Sequence, residues 1–217
     1  MAGATEVKIC GLSTPEAVAA AIEGGADYIG FVFYPRSPRH VTPQQAALLA
    51  KAVPASVKIV ALTVDATDDL LGEIVEEVHP ALLQLHGVET PARVTEIRQR
   101  YGVPVMKVLP VAGPADIAAA HAYEDGADRL MFDAKPPKEK KDALPGGNAL
   151  SFDWQLLAGT EWKKPWLLAG GLRPENVAEA IRISGAPGVD VSSGVEEAPG
   201  RKSTALIKAF LKAAKAG

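Results

Sequence analysis

The chain has 217 residues, 47% of them hydrophobic, which is enough to bury a sizeable core within one domain. Its 23 basic and 26 acidic side chains leave a formal charge of −3, so neither nucleic acid nor an acidic membrane is expected as a partner. One cysteine cannot close an internal disulfide, the N-terminus has no signal-like apolar run, and no stretch reaches the roughly 18 apolar residues of a membrane span, so the reducing cytoplasm is the expected compartment.

In chain order, short runs rich in Val, Ile and Leu alternate with longer Ala-rich segments of helical spacing. The runs are Val7 to Cys10, Tyr28 to Phe33, Lys58 to Val64, Leu82 to Leu85, Pro104 to Leu109, Arg129 to Asp133, Pro165 to Ala169 and Val189 to Ser192. Helices are expected over Pro15 to Glu23, Pro43 to Ala52, Asp68 to Val78, Pro91 to Tyr101, Pro114 to Glu124, Trp154 to Leu157, Pro174 to Ile183 and Ser203 to Lys215. Several open on proline, a favoured first helical residue.

Eight such units predict a parallel sheet closed into a (β/α)₈ barrel, with residues 1–217 as a single domain. No Gly-x-Gly-x-x-Gly follows the first run, which argues against an open dinucleotide-binding sheet. The longest irregular piece, Ala134 to Leu150, follows the sixth strand and is a candidate lid.

A barrel of this kind gathers its active site at the carboxyl ends of its strands. Cys10 closes the first run, Tyr34 to Arg39 follow the second, Asp65 the third, His86 the fourth and Asp133 the sixth. Gly170-Gly171 follow the seventh and Ser192-Ser193-Gly194 the eighth, where backbone NH groups can approach a phosphate closely. Each has a plainer reading: Cys10 as a small buried hydrophobe, Asp133 as a cap, His86 as scaffold and the glycines as tight turns.

Taken in order, Lys8-Ile9-Cys10-Gly11, Gly25-Ala26-Asp27 with Gly30-Phe31-Val32-Phe33, Ser37-Pro38-Arg39, Leu83-Gln84-Leu85-His86-Gly87, Phe132-Asp133, Phe152-Asp153-Trp154, Gly170-Gly171-Leu172 with Asn176-Val177, and Asp190 to Glu196 carry a resemblance. The chain resembles the phosphoribosylanthranilate isomerases of tryptophan biosynthesis, nearly end to end. That resemblance implies an Amadori rearrangement of a phosphosugar on a (β/α)₈ barrel, with Cys10 as general base, Asp133 as general acid and Arg39 as partner of the anthranilate carboxylate. It also implies no metal and no organic cofactor.

The residue types suit that chemistry, because opening a ribosyl ring and moving a hydrogen between adjacent carbons needs one acid and one base on opposite sides of the substrate. Arg39 offers a carboxylate a bidentate fork that lysine cannot copy, whereas Arg36 reads as a solvated charge. His86 is a rival base or a substrate contact. Departures from the family pattern are Ala149 after Gly146-Gly147-Asn148, Ser203 in place of an acidic residue, expected still to cap the last helix, and the basic stretch Lys135 to Lys141. Other readings stay open: another phosphosugar isomerase, a non-catalytic phosphosugar-binding barrel, or an interaction module using the C-terminal helix. No surface stripe calls for a dimer, so a monomer is expected.

A thiol works as a base near neutral pH only where positive charge favours its anion. Lys8 shares the parity of Cys10 on a period-two strand and should point inwards with it. Strand eight closes against strand one, so Asp190 is expected to pair with Lys8 beneath the substrate and hold positive charge near the thiol. The rival reading sets Asp190 against the anthranilate nitrogen.

Overall fold

The structure, a computed structural model, describes residues 5–135, 146 and 151–216. Its sheet is a closed parallel barrel of eight strands: β1 (Glu6–Cys10), β2 (Tyr28–Phe33), β3 (Lys58–Thr63), β4 (Leu82–Leu85), β5 (Val105–Val111), β6 (Arg129–Ala134), β7 (Trp166–Leu168) and β8 (Gly188–Val191). Closure joins β1 to β8 with Lys8 opposite Asp190, as strand parity requires. The outer helices are α1 (Pro15–Glu23), α2 (Pro43–Ala50), α3 (Asp68–Val78), α4 (Pro91–Tyr101), α5 (Pro114–Ala120), α6 (Val177–Ser184) and α7 (Thr204–Lys215). The expected short helix Trp154–Leu157 is a 3₁₀ turn.

The helix starts follow from local chemistry. Thr14, Thr42, Thr67 and Thr90 each accept a hydrogen bond from the third residue of the helix that follows, and proline opens α1, α2 and α4. Ser203 caps α7 in the same way. Pro174, expected to open a helix, stands in the preceding turn instead. Asn176 closes that turn, its Oδ1 accepting from the Arg173 NH and its Nδ2 donating to the Gly171 carbonyl, so α6 starts only at Val177.

Two apolar regions follow from strand alternation. Outward-facing residues such as Ile9, Ile29, Phe31, Leu83 and Phe132 pack under the helices, while Tyr28, Val60, Leu82, Met106, Val108, Met131, Leu167 and Ala169 fill the barrel interior. Above the interior lies a small group of Cys10, Val32 and Leu62 at the carboxyl ends of the strands. On α7, Ile207, Phe210 and Leu211 are buried, each worth about 1.5–3 kcal/mol relative to exposure. That face is therefore spent on the barrel, which removes the reading of α7 as a free interaction module.

After β8 the chain makes a 3₁₀ turn and then a small antiparallel hairpin, β9 (Glu196–Ala198) and β10 (Arg201–Lys202), before entering α7. Gly200 turns it with φ +80, and its Cα lies against the Pro38 carbonyl, where a Cβ would come within 2.4 Å of the oxygen. The candidate lid over 134–150 lies outside the described residues, apart from 134, 135 and 146.

Candidate active site

Inward-facing residues at the carboxyl ends of the strands enclose one pocket, and Cys10, Arg39, His86, Asp133, Asp190 and Ser192 all line it. Cys10 is buried at the end of β1 in register with Gly30 of β2. A Cβ at position 30 would lie 3.0 Å from Lys8 Nζ and 3.1 Å from Cys10 Sγ. A side chain there would crowd both groups, which face the same small space.

Lys8 is fully buried, and its Nζ donates to Asp190 Oδ1 at 2.8 Å, the pair that parity predicted. The expected consequence for the thiol is only half realised. Burial is the largest influence on Cys10 and pushes it up from its ordinary value; Lys8 pulls it down, Asp190 pushes it up again, and the balance lies on the raised side. The reason is geometric: the Lys8 charge is shared with an anion at hydrogen-bond distance, so it limits the rise without reversing it. Burial likewise works against the Lys8 ammonium, but Asp190 and Cys10 outweigh it and hold that group above its ordinary value.

Across the barrel, Asp133 is the last residue but one of β6. Its Oδ1 accepts from the Ala134 NH at 2.8 Å, and its Oδ2 lies 3.4 Å from His86 Nε2. Gly170, with φ +89, passes close beside it; a Cβ there would meet Ala134 N at 2.7 Å and Asp133 Oδ1 at 3.1 Å. His86 is set by the loop after β4, which rests on a buried ion pair. Lys107 Nζ donates to Glu89 Oε2 at 2.7 Å and to the Gly87 carbonyl at 2.7 Å, while the Glu89 carboxylate accepts from the NH groups of Asp65 and Gly87. Asp65, a strand-end residue by sequence, belongs to this scaffold: its Oδ1 accepts from the Val88 NH at 2.8 Å.

Arg39 lies buried across Gly11, and its Nε and Nη2 donate to the two oxygens of Glu196 at 2.7 and 2.9 Å. Lys202, whose side chain is also buried, donates to Glu196 Oε1 at 2.8 Å and to Ser192 O and Oγ at 2.8 and 3.2 Å. The hairpin thus ties Arg39 to the loop after β8. Burial alone would push the Glu196 carboxyl up, but Arg39 and Lys202 together hold it below its ordinary value. For Lys202, burial prevails over Glu196 and leaves the ammonium lowered. Sequence reasoning missed both residues, since Glu196 passed only as part of a motif and Lys202 as the first residue of the basic C-terminal helix.

The two glycine loops touch. Gly170 and Gly171 both have positive φ, and a Cβ at Gly194 would fall 1.8 Å from the Leu172 carbonyl oxygen, so only glycine fits where the loop after β8 crosses the loop after β7. Ser193 and Gly194 lie in the 3₁₀ turn, and Ser192 reaches from this junction into the pocket. Among the described residues, no group of three or more His, Cys, Asp or Glu side chains could hold a metal ion.

Comparison with known proteins shows what the chain as a whole is similar to. The family model described as N-(5'-phosphoribosyl)anthranilate (PRA) isomerase matches residues 7–213. The N-(5'-phosphoribosyl)anthranilate isomerase of Parvibaculum lavamentivorans is 60% identical over 210 residues, covering 97% of this chain and 98% of its own. A crystal structure of phosphoribosyl anthranilate isomerase in complex with reduced 1-(o-carboxyphenylamino)-1-deoxyribulose 5-phosphate superposes with a TM-score of 0.82 at 32% identity, covering 98% of this chain and all of the other. Crystallised monomers generated from the dimeric Thermotoga maritima isomerase also superpose with a TM-score of 0.82, at 33% identity and with the same coverage.

Proposed function

The chain belongs to the N-(5'-phosphoribosyl)anthranilate isomerase family, and we propose that Cys10 and Asp133 are the base and acid with which it works. It is an isomerase of the aldose–ketose kind, carrying out the Amadori rearrangement of tryptophan biosynthesis. The assignment of roles rests on one observation: Cys10 and Asp133 stand on strands well separated around the barrel, yet line a single pocket.

Asp133 gives its proton to the ribosyl ring oxygen as the bond from C1′ to that oxygen breaks, leaving a protonated Schiff base between C1′ and the anthranilate nitrogen. Cys10, as thiolate, then takes the proton from C2′ to give an enolamine. Proton return to C1′ and loss of the enol proton yield the aminoketone, 1-(2-carboxyphenylamino)-1-deoxyribulose 5-phosphate, with no net change in proton count. The raised thiol fits this order of events, since the cationic Schiff base both acidifies C2′ and adds the positive charge that favours a thiolate.

Arg39 is the partner of the anthranilate carboxylate, its guanidinium held in plane by Glu196. The phosphate is held by Gly170, Gly171, Ser192, Ser193 and Gly194, supported by the contact between the two loops and by Lys202 on Ser192. His86 and Asp190 complete the substrate contacts, His86 beside the acid and Asp190 beside the base.

The reading of 1–217 as one domain is supported by the closed sheet. Among the described residues no helix is long and apolar enough to cross a membrane, and the single unpaired cysteine suits the cytoplasm. Leu48 and Val88 are the large apolar side chains left exposed among those residues, too few and too scattered for a stable interface, which supports a monomer. The test of the site is loss of N-(5'-phosphoribosyl)anthranilate fluorescence on adding purified protein. Cys10→Ala and Asp133→Asn should each slow it by at least about a hundredfold with the fold intact, and near-normal turnover in either variant removes that residue from the mechanism.

A further inference from the structure

Gln84 sits in the middle of β4 between two leucines, in a run that is otherwise apolar. Its parity puts it on the inward face with Leu82 below and His86 above. It is fully buried, and it lines the same pocket as Cys10, Asp133 and Asp190. Its neighbours in register are Leu62 and Met106, neither of which offers it a hydrogen bond. The amide nitrogen faces Met131 Sδ at 3.7 Å, a weak acceptor. The carbonyl Oε1 has no hydrogen-bond partner among the described residues. Leucine or methionine would fill this place without a polar atom, and an unmade amide acceptor in an apolar wall costs stability. Packing therefore does not account for glutamine here.

We propose that Gln84 is a substrate-binding residue whose Oε1 accepts a hydrogen bond from a hydroxyl of the ribosyl chain, resting on the reading of this pocket as the isomerase site. The chemistry of the ligand selects the hydroxyl. Phosphate and carboxylate present only acceptors to a carbonyl oxygen at neutral pH, which leaves the sugar hydroxyls and the anthranilate NH as donors. Gln84 belongs to the sugar side, because it touches Met131, which precedes Asp133 by two residues on the same face of β6. Asp133 must reach the ribosyl ring oxygen. Asp190, the acceptor suited to the NH, stands on β8, four strands round the barrel from β4.

Gln84→Met tests this, with Cys10→Ala measured beside it. In Gln84→Met, kcat/KM should fall about tenfold or more. The inhibition constant of the reduced product analogue, reduced 1-(o-carboxyphenylamino)-1-deoxyribulose 5-phosphate, should rise by a similar factor. Inhibition by anthranilate and by inorganic phosphate, which carry no sugar hydroxyl, should not change, and the melting temperature should hold or rise. Wild-type kcat/KM and analogue affinity would overturn the assignment, as would an equal loss towards all three ligands, which marks a scaffold residue. Were Cys10→Ala to keep its turnover, the site reading itself would fail; an inactive Cys10→Ala beside an unimpaired Gln84→Met sinks only the role of Gln84. Should Gln84→Met not fold, the side-chain amide resonances of Gln84 in the unmodified protein decide. They should move on adding the reduced analogue and stay still with phosphate or anthranilate, and resonances unmoved by the analogue overturn the proposal.

Discussion

Lys8→Met is the sharpest perturbation the structure offers, because it removes a fully buried cation and keeps a side chain of similar length. The Lys8 nitrogen stands 2.8 Å from Asp190 Oδ1, and the Asp190 side chain is only 9% exposed. Deleting one partner of such a pair leaves the other with its desolvation penalty and no compensation, a loss of about 3–5 kcal/mol. For a chain of this size each kcal/mol lowers the melting temperature by about 2–4 °C, so the expected drop is roughly 6–20 °C at pH 7. The double variant Lys8→Met/Asp190→Leu should recover most of it, since an apolar pair of similar volume carries no such penalty. The same change acts on the thiol. Without Lys8, burial and Asp190 both favour the protonated form, so the ascending limb of the kcat/KM profile should move to higher pH. Differential scanning calorimetry and a pH series on the fluorescence assay read the two effects separately. A single variant that melts within about 2 °C of the parent, or a double variant no more stable than the single, refutes the energetic argument; an unmoved limb severs Lys8 from the thiol.

Arg39→Ala should raise KM and weaken anthranilate-bearing inhibitors with a smaller change in kcat, because a carboxylate partner is lost while the proton-transfer pair remains; steady-state kinetics showing unchanged affinity would count against the assignment. Inorganic phosphate or sulfate should inhibit competitively and be found between Gly170-Gly171 and Ser192-Ser193-Gly194 in a crystal soak, and a ligand phosphate seated elsewhere rejects the loop argument. Lys8 and Cys10 are both raised from ordinary values of 10.5 and 9.0, so the stability they contribute is complete below about pH 9 and lost as pH climbs through their folded-state values; urea midpoints measured from pH 8 to 11 should decline. Glu196 is lowered from an ordinary 4.5, so its contribution is present above that value and lost as pH falls through the folded-state one. Glu196→Gln should therefore flatten the acid limb of the stability curve, and an unchanged limb would show that the buried triad with Arg39 and Lys202 does not govern acid unfolding.

The barrel was legible because its strands and helices repeat at two distinct periods, and all eight expected runs overlap the eight observed strands. Errors fell at boundaries, where period carries no information. Strand β5 runs on to Val111 through Pro110, which lies beyond the last pairing with β4 at Lys107, and α6 waits for Asn176 to close its turn. The hairpin of β9 and β10 has three and two residues, too few for alternation to show, and its turn looks like any Pro-Gly bend. With it went Glu196 and Lys202, two charges that sequence alone assigns to solvent and that the fold buries.

The Lys8 and Asp190 pair shows why some of the site can be derived and some cannot. Parity on a strand is an arithmetic fact, and barrel closure adds a second, so which side chains face one another follows from counting. The protonation of Cys10 is a sum of opposed influences: burial, a cation, an anion beside that cation and a second lysine, Lys202. Their signs can be read from residue types, but the winner depends on distances that counting does not supply. Gln84 stands between these cases. Its inward parity was countable from Leu82 and His86, yet a glutamine inside a leucine run reads as a tolerated polar residue until the structure shows its carbonyl oxygen without a donor. A buried polar atom carries meaning only once its partners have been enumerated, and that enumeration is a property of the fold.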